Sequence, residues 1–124
     1  MARILVAEDE EGLRGFVARA LADSGHDIAV AADGAAALDL LTRAPGAFDL
    51  LLADIKMPVM DGIALALAAA RDEPDLVILL MTGYADQRER AHGLDALIHD
   101  IIAKPFTLAE LRGAVASALA AKSS

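Results

Sequence analysis

The chain has 124 residues, a length typical of a single domain, and 56% of them are hydrophobic, which is enough for a complete core. It contains no cysteine, so a disulfide framework and a thiolate metal site are excluded. The net charge of -8 argues against binding to the phosphate backbone of DNA and against attraction to anionic membrane surfaces.

The predicted elements alternate between short apolar runs and helical patterns. In chain order we predict strand 3–7, helix 12–23, strand 27–30, helix 34–44, strand 48–53, helix 62–72, strand 76–80, helix 86–93, strand 98–103 and a last helix after residue 107. Thr107 and Glu110 form a capping-box pattern, and Asp33 is placed to cap the second helix. We expect the domain to cover residues 1–121, with 122–124 as a frayed tail.

The strand at 48–53 needs an argument, because the apolar run Leu50-Leu51-Leu52 would also suit a helix. Its short length and the neighbouring glycine and proline residues favour a buried strand. Strands that are apolar throughout indicate a sheet covered on both faces. Their alternation with helices indicates parallel strands and right-handed crossovers. The predicted fold class is therefore α/β, with a doubly wound five-stranded parallel sheet.

Polar or charged residues follow four of the five predicted strands: Glu8 and Asp9, then Asp54, Thr82 and Lys104. Taken singly, each has an ordinary interpretation as a turn, loop or helix-capping residue. In an open parallel sheet, however, ligands bind beyond the carboxyl ends of the strands. We therefore expect these side chains to converge at one edge of the sheet.

The carboxylates of this set predict a metal site. Three carboxylates in one place repel each other unless a cation lies among them. Mg²⁺ suits such a site because it binds one or two carboxylates together with waters and phosphate oxygens, and Mn²⁺ is the alternative. We expect Asp9 and Asp54 to be direct ligands, Glu8 to act through a water, and the Lys56 backbone carbonyl to offer a further oxygen.

Asp54 is the candidate nucleophile, because it ends the central strand beside the predicted metal. A carboxylate can attack phosphorus and form an aspartyl phosphate. Phosphoryl transfer then depends mainly on positioning and on neutralising charge. Lys104 can pair with one phosphate oxygen and the Thr82 hydroxyl can donate to another, while Gly83 leaves the approach open.

Two other functions fit a parallel α/β chain less well. A Mg²⁺-dependent aspartyl-phosphate hydrolase of the dehalogenase type places a second aspartate two residues beyond the nucleophile as acid and base, and Lys56 stands there. A flavodoxin-like electron carrier needs a phosphate-binding loop after its first strand. Glu8 and Asp9 would repel that phosphate.

The chain resembles the receiver domains of two-component response regulators in the segments Val6-Ala7-Glu8-Asp9-Glu10, Asp54-Ile55-Lys56-Met57-Pro58, Met60-Asp61-Gly62, Thr82-Gly83 and Lys104-Pro105-Phe106. The resemblance covers the whole chain. It implies phosphorylation at Asp54, Mg²⁺ among the three carboxylates, and phosphate contacts from Thr82 and Lys104. It also implies the CheY-like, flavodoxin-like strand order 2-1-3-4-5 and a cis Lys104–Pro105 peptide bond.

The same resemblance implies the partners. The phosphoryl donor is expected to be a phosphohistidine on a histidine kinase or histidine phosphotransfer protein, docked near the first helix at Leu13, Arg14 and Val17. The output is expected to be a downstream protein target, with no DNA or membrane partner and a cytoplasmic location. The chain is expected to be no enzyme beyond catalysing its own phosphorylation and dephosphorylation.

The loop segment Leu80-Met81-Thr82-Gly83-Tyr84-Ala85 resembles CpdR-like regulators, and the chain is expected to carry no output domain. That resemblance implies a place in a phosphorelay and regulation of proteolysis by the unphosphorylated protein. A motor-type binding switch and a phosphate sink in a relay stay open as other outputs.

One position departs from the family pattern. Many receiver domains carry an aromatic residue three positions before the lysine, and here that position is Ile101. Tyr84 is the candidate to take over the switching role. We expect the surface that responds to phosphorylation to include the fourth helix, the fifth strand and the last helix.

Overall fold

The computed structural model describes residues 2–83 and 89–123. Its strands are β1 Arg3–Ala7, β2 Asp27–Ala31, β3 Leu50–Asp54, β4 Val77–Thr82 and β5 Asp100–Ala103. Its α-helices are α1 Glu11–Asp23, α2 Gly34–Arg43, α3 Gly62–Asp72 and α4 Leu108–Ser123, and a 3-10 helix lies at His92–Leu94. The helix predicted at 86–93 falls partly outside the described residues.

The strands form one parallel sheet in the order β2-β1-β3-β4-β5, which confirms the predicted fold class and topology. The central strand β3 lies between β1 and β4. Its register places Leu50 opposite Ile4 on one side and Asp54 opposite Met81 on the other. The carboxyl ends of all the strands therefore face the same edge of the sheet.

The central leucine run shows why the sheet needs helices on both faces. Leu51 packs in the hydrophobic cluster formed with α2 and α3, whereas Leu50 and Leu52 pack in the cluster formed with α1 and α4. All three side chains are fully buried. Successive residues of a strand point to opposite faces, so an unbroken apolar run is what a doubly covered strand requires. Among the described residues, no helix is both long enough and apolar enough to cross a membrane.

Several boundaries differ from the sequence predictions. Strand β3 extends to Asp54 and β4 extends to Thr82, because their polar side chains are buried at the sheet edge and keep strand pairing. Strand β5 is shorter than predicted and begins at Asp100. Helix α4 continues to Ser123, beyond residue 121 where the domain was predicted to end, and fraying of residues 122–124 stays a prediction. The Lys122 Nζ atom lies 3.4 Å from Asp49 Oδ1, which holds the end of the helix on the sheet.

Side-chain caps begin three of the four α-helices in the described parts of the chain. Asp33 Oδ1 accepts a hydrogen bond from the Ala36 N–H at 2.8 Å, as predicted. The predicted capping box is also present, with Thr107 Oγ1 accepting from the Glu110 N–H at 3.0 Å and Glu110 Oε1 accepting from the Thr107 N–H at 2.8 Å. Asp61 caps α3 in the same way as Asp33 caps α2.

The cap of α2 gives a first testable prediction. Asp33→Ala is expected to lower the free energy of unfolding by about 1 kcal/mol, because the Ala36 N–H loses its acceptor. Urea denaturation measures the change. Asp39→Ala is the matched control, since it removes the same side chain from the exposed face of α2, where an ion pair with Arg43 contributes at most about 0.5 kcal/mol. Equal losses in the two variants would contradict the capping role.

Candidate functional site

The carboxyl edge of the sheet carries an open cavity of about 560 Å³. Its lining comes from the ends of β1, β3, β4 and β5 and from the first two turns of α1. The lining residues are Glu8, Asp9, Glu10, Leu13, Phe16, Asp54, Lys56, Gly83, Lys104, Pro105 and Phe106. Five of the six residues predicted for the site, all except Thr82, therefore lie around one cavity.

Three carboxylates meet inside this cavity. One oxygen from each of Glu8, Asp9 and Asp54 lies within 4.8 Å of the other two. Glu8 is 1% exposed and Asp54 is 5% exposed, whereas Asp9 is exposed to solvent. Oxygen donors at this spacing fit the ligand set of a hard divalent cation such as Mg²⁺. The group predicted from strand ends is therefore assembled in the fold.

Lys104 brings a positive charge into the same place. Its Nζ atom lies 2.9 Å from Glu8 Oε1 and 3.1 Å from Asp54 Oδ1, so one ammonium group bridges two buried carboxylates. The Lys104–Pro105 peptide bond is cis, as the family resemblance implied. The Lys104 backbone N–H donates to the Thr82 carbonyl at 2.7 Å, which ties the end of β5 to the end of β4.

Hydrogen bonds hold both the side chain and the backbone carbonyl of Glu8. Its Oε2 accepts a hydrogen bond from the Glu10 N–H at 3.0 Å while Oε1 receives Lys104, so both carboxylate oxygens have protein donors. Its backbone carbonyl accepts from Arg14 Nη1 at 2.9 Å. Arg14 was predicted to help dock the phosphodonor, and this contact to the Glu8 carbonyl was not foreseen. The available signal was a basic residue in the first turn of the helix that follows the acidic residues after β1.

The electrostatics of the site follow from burial. Burial raises the pKa of Glu8 and the pKa of Asp54 above their ordinary values, and the attraction of Lys104 only partly opposes this because two carboxylates share one ammonium group. Burial works against the Lys104 ammonium too. The hydrogen bond to Glu8 and the charge of Asp54 outweigh that burial and raise the pKa of Lys104.

These shifts predict a pH dependence of the metal-free protein. As the pH rises from about 4 toward the raised pKa values of Glu8 and Asp54, the free energy of unfolding is expected to fall. The sign follows because the folded state keeps protons on these carboxyls that the unfolded chain has already released. Saturating Mg²⁺ is expected to flatten this slope, since a cation neutralises the carboxylates without protons. Urea denaturation across this pH range, with and without Mg²⁺, measures both effects.

Two carboxyl groups outside the site, those of Asp49 and Asp61, have lowered pKa values, so their effect on stability has the opposite dependence on pH. They set the lowest pH at which the experiment reports on Glu8 and Asp54. The Arg3 backbone N–H lowers the pKa of Asp49. Burial opposes ionisation of Asp61, but hydrogen bonds from the Ala64 N–H and Arg90 lower its pKa below the ordinary value. The stability that these two groups contribute is present at neutral pH and is lost below about pH 4. A slope of the same sign through the whole acidic range would contradict the assignment to Glu8 and Asp54.

The remaining predicted residues occupy different positions around the cavity. Lys56 is exposed and lines it, and the role of its carbonyl as a metal ligand stays a prediction. Thr82 is the last residue of β4 and only 3% exposed, and Gly83 lines the cavity beside it. A phosphate contact of the Thr82 hydroxyl stays a prediction. Ile101 packs partly buried against the α2 and α3 side of the sheet, and Tyr84 lies outside the described residues.

Comparison with known protein families identifies the family to which this chain belongs. Residues 4–116 match the family described as response regulator receiver domain. The chain belongs to this family. It is therefore a receiver domain of the two-component response regulators, a class of signalling module. Receiver domains bind Mg²⁺ at an acidic site, and the Glu8, Asp9 and Asp54 cluster has the oxygen donors for one.

Individual relatives agree with this assignment. The receiver is 40% identical to the response regulator receiver protein CpdR of Brucella abortus (strain 2308), covering 90% of this chain and 91% of that protein. It is 38% identical to the response regulator MprA of Mycobacterium avium (strain 104), covering 88% of this chain but 47% of that longer protein. The chain thus spans nearly the whole length of one relative and about half of the other.

Solved structures show the same fold. The response regulator protein TrrA of Thermotoga maritima, crystallised in complex with Mg²⁺ and BeF, superposes with a TM-score of 0.83 at 30% identity, over 94% of this chain and 98% of that one. A receiver domain protein of Clostridium thermocellum superposes with a TM-score of 0.91 over 99% of this chain and 98% of that one. Its sequence identity is 23%, so this similarity shows the fold alone.

Proposed function

We propose that Asp54 accepts a phosphoryl group from a phosphohistidine on a histidine kinase or histidine phosphotransfer protein. The observation that carries this proposal is the position of the Asp54 carboxylate. It is buried at the tip of the central strand, beside two further carboxylates and 3.1 Å from the Lys104 ammonium. Because Asp54 lines the open cavity, a donor can reach this carboxylate, and the neighbouring ammonium group compensates the charge of the transferred group.

The metal in this proposal is Mg²⁺, or Mn²⁺ in its place, held by Glu8, Asp9 and Asp54. When bound, it supplies positive charge next to the transferred group. The complex of TrrA with Mg²⁺ and BeF supports this choice, because it is a receiver-family protein at 30% identity. The contacts of Glu8 to Lys104 and to the Glu10 N–H favour an indirect role for Glu8, with Asp9 and Asp54 as the direct ligands.

The transfer step uses the chain's own groups. An oxygen of the Asp54 carboxylate attacks phosphorus, and the new O–P bond forms as the P–N bond to the donor imidazole breaks. The electron pair of that bond stays on the imidazole nitrogen, which solvent then protonates. The Lys104 ammonium, already beside Asp54, follows the developing charge onto a phosphoryl oxygen, and the Thr82 hydroxyl donates to another.

Mass spectrometry of the intact protein tests the proposal. With Mg²⁺ and either phosphoramidate or acetyl phosphate, we expect the mass of the chain to increase by one phosphoryl group, mapped to Asp54. Asp54→Asn is expected to stay unmodified. Asp49→Asn is the matched control, because it removes a carboxylate beside the opposite end of β3 and should be modified like the wild type. An unmodified wild type, or modification at another residue, would refute the proposal.

The output that we propose is a protein–protein interaction, of the CpdR-like kind that regulates proteolysis. The 40% identity to Brucella CpdR over 90% of this chain and 91% of that protein supports it. In this form the unphosphorylated chain is the active binder, and phosphorylation releases the target. A pull-down with wild type and with Asp54→Ala, each before and after treatment with phosphodonor and Mg²⁺, tests the direction. A target released from the wild type and retained by Asp54→Ala is expected, and equal release from both contradicts it.

The surface that responds is proposed to include β5, α4 and the segment before β5. Arg90 Nη2 in the segment before β5 lies 2.8 Å from Oδ2 of Asp61, which caps α3. This ion pair connects the segment to the helix that follows Asp54 in the chain. Lys104 at the end of β5 provides the second link. Amide exchange with and without beryllofluoride and Mg²⁺ is expected to change in residues 89–104. No change there would contradict this part of the proposal.

A further inference from the structure

The lining of the cavity carries a fourth carboxylate besides the three of the candidate metal cluster. Four carboxylates line it, from Glu8, Asp9, Glu10 and Asp54, against the ammonium groups of Lys56 and Lys104. One divalent cation would bring the lining close to neutrality. The fourth carboxylate, Glu10, lies outside the cluster whose oxygens come within 4.8 Å of one another.

Glu10 has no structural task for its carboxylate among the described residues. It is the N-cap residue of α1, but its side chain makes no capping hydrogen bond, and only its backbone N–H contacts Glu8. None of the ion pairs in the described part of the chain involves it. Its side chain is exposed at the cavity rim. The neighbouring Glu11 has the same charge and lies in the first turn of α1, but it does not line the cavity.

We propose that Glu10 selects among phosphodonors by charge, disfavouring small free anions that bring two negative charges to the rim of the cavity. This inference rests on the proposed phosphorylation of Asp54. A small acyl phosphate brings two negative charges to the rim and has few contacts to offset their repulsion from Glu10. A protein donor is held by its own docking surface, and those contacts offset the same repulsion.

The ordinary interpretation of Glu10 is a favourable interaction with the amino terminus of α1. An acidic side chain in the first turn of a helix stabilises it through the helix dipole. That effect applies to Glu11 at least as strongly, because Glu11 is inside the helix. What the helix dipole does not explain is that Glu10 lines the cavity and Glu11 does not. Substitutions at Glu11 are the matched control.

The test compares initial rates of Asp54 phosphorylation at saturating Mg²⁺ for the wild type and for Glu10→Gln, Glu10→Lys, Glu11→Gln and Glu11→Lys. With acetyl phosphate we expect the second-order rate constant to rise about 2-fold in Glu10→Gln and about 5-fold in Glu10→Lys. Phosphoramidate carries less negative charge, so its rate is expected to rise less. Higher ionic strength is expected to speed the wild type and to reduce the advantage of Glu10→Lys.

Each other result has a distinct meaning. Equal effects at Glu10 and Glu11, or equal effects on the two donors, would overturn the role of Glu10 and leave phosphorylation of Asp54 standing. A wild type that neither donor phosphorylates would overturn the proposed function and this inference with it. The Mg²⁺ affinity of each variant, measured by titration calorimetry, shows whether the metal is saturating. A rate gain that disappears once saturation is matched would also overturn the inference.

Discussion

Replacing Lys104 with methionine is expected to slow phosphorylation of Asp54 by about 100-fold at saturating Mg²⁺. The Lys104 Nζ atom lies 3.1 Å from Asp54 Oδ1, where the transferred group must arrive. Methionine keeps an unbranched side chain of similar length but removes the charge that the phosphoryl oxygens require. Initial rates from intact-protein mass spectrometry, with acetyl phosphate or phosphoramidate as donor, measure the effect.

The same substitution is expected to change metal binding in the opposite direction. Because Nζ also lies 2.9 Å from Glu8 Oε1, the ammonium group competes with a cation for the same carboxylates. Its removal should raise the Mg²⁺ affinity about 5-fold, measured by titration calorimetry. Lys122→Met is the control, since it loses the same charge from the ion pair with Asp49 and should leave both quantities unchanged. A variant with slower phosphorylation and weaker Mg²⁺ binding would indicate a damaged cavity and contradict this account.

Most of the fold could be predicted from the sequence, because β1, β3 and β4 are short apolar runs and turn residues separate them from the helical patterns. The position of the site followed from topology, since parallel strands bring Glu8, Asp54 and Lys104 to one edge. Strand ends were less predictable. The sequence predicts Asp54 and Thr82 in the loops after their strands. In the structure both residues belong to strands, and their side chains are buried at that edge.

The contacts within the site required the three-dimensional structure. The sequence gives no measure of how Lys104 divides its charge, and the structure shows one ammonium group shared by Glu8 and Asp54. Near the end of helix α4, Lys122 pairs with Asp49, a residue 73 positions away in the chain. Such long-range pairs leave no local pattern, so propensity predicts fraying there.

The loop after Asp54 contains another feature that propensity would exclude. Val59 has a φ of 70° although it is β-branched and 84% exposed. This left-handed conformation is uncommon for such a residue and persists where neighbouring contacts fix the backbone. Those contacts are present on both sides, because the Gly34 N–H donates to the Met60 carbonyl and the Gly62 N–H donates to the Ile55 carbonyl. The loop is therefore held against α2 and against the end of β3.

Gly62 is where this loop and the phosphorylation site depend on each other most directly. A Cβ atom at position 62 would lie 2.3 Å from the Asp54 carbonyl oxygen and 2.9 Å from the Ile55 Cα atom. The first neighbour belongs to the last residue of the central strand and the second to the residue directly after it, so neither can shift without disturbing the end of β3. Gly62→Ala is therefore expected to lower the free energy of unfolding by roughly 3 kcal/mol, and urea denaturation measures this.

The folded fraction of Gly62→Ala is also expected to accept phosphate more slowly, because the clash moves the backbone that carries the Asp54 carboxylate. Gly113→Ala is the matched control. That glycine lies within α4, and apart from its chain neighbours and the helix backbone nothing lies within 4 Å of an added Cβ, so alanine there should raise the free energy of unfolding by roughly 0.5 to 1 kcal/mol. Two glycine-to-alanine changes with opposite signs would show that the glycine before α3 is required by the close approach of the Asp54 backbone. A tolerated Gly62→Ala would mean that the loop can yield, and that the carboxylate is positioned by Lys104 and the metal instead.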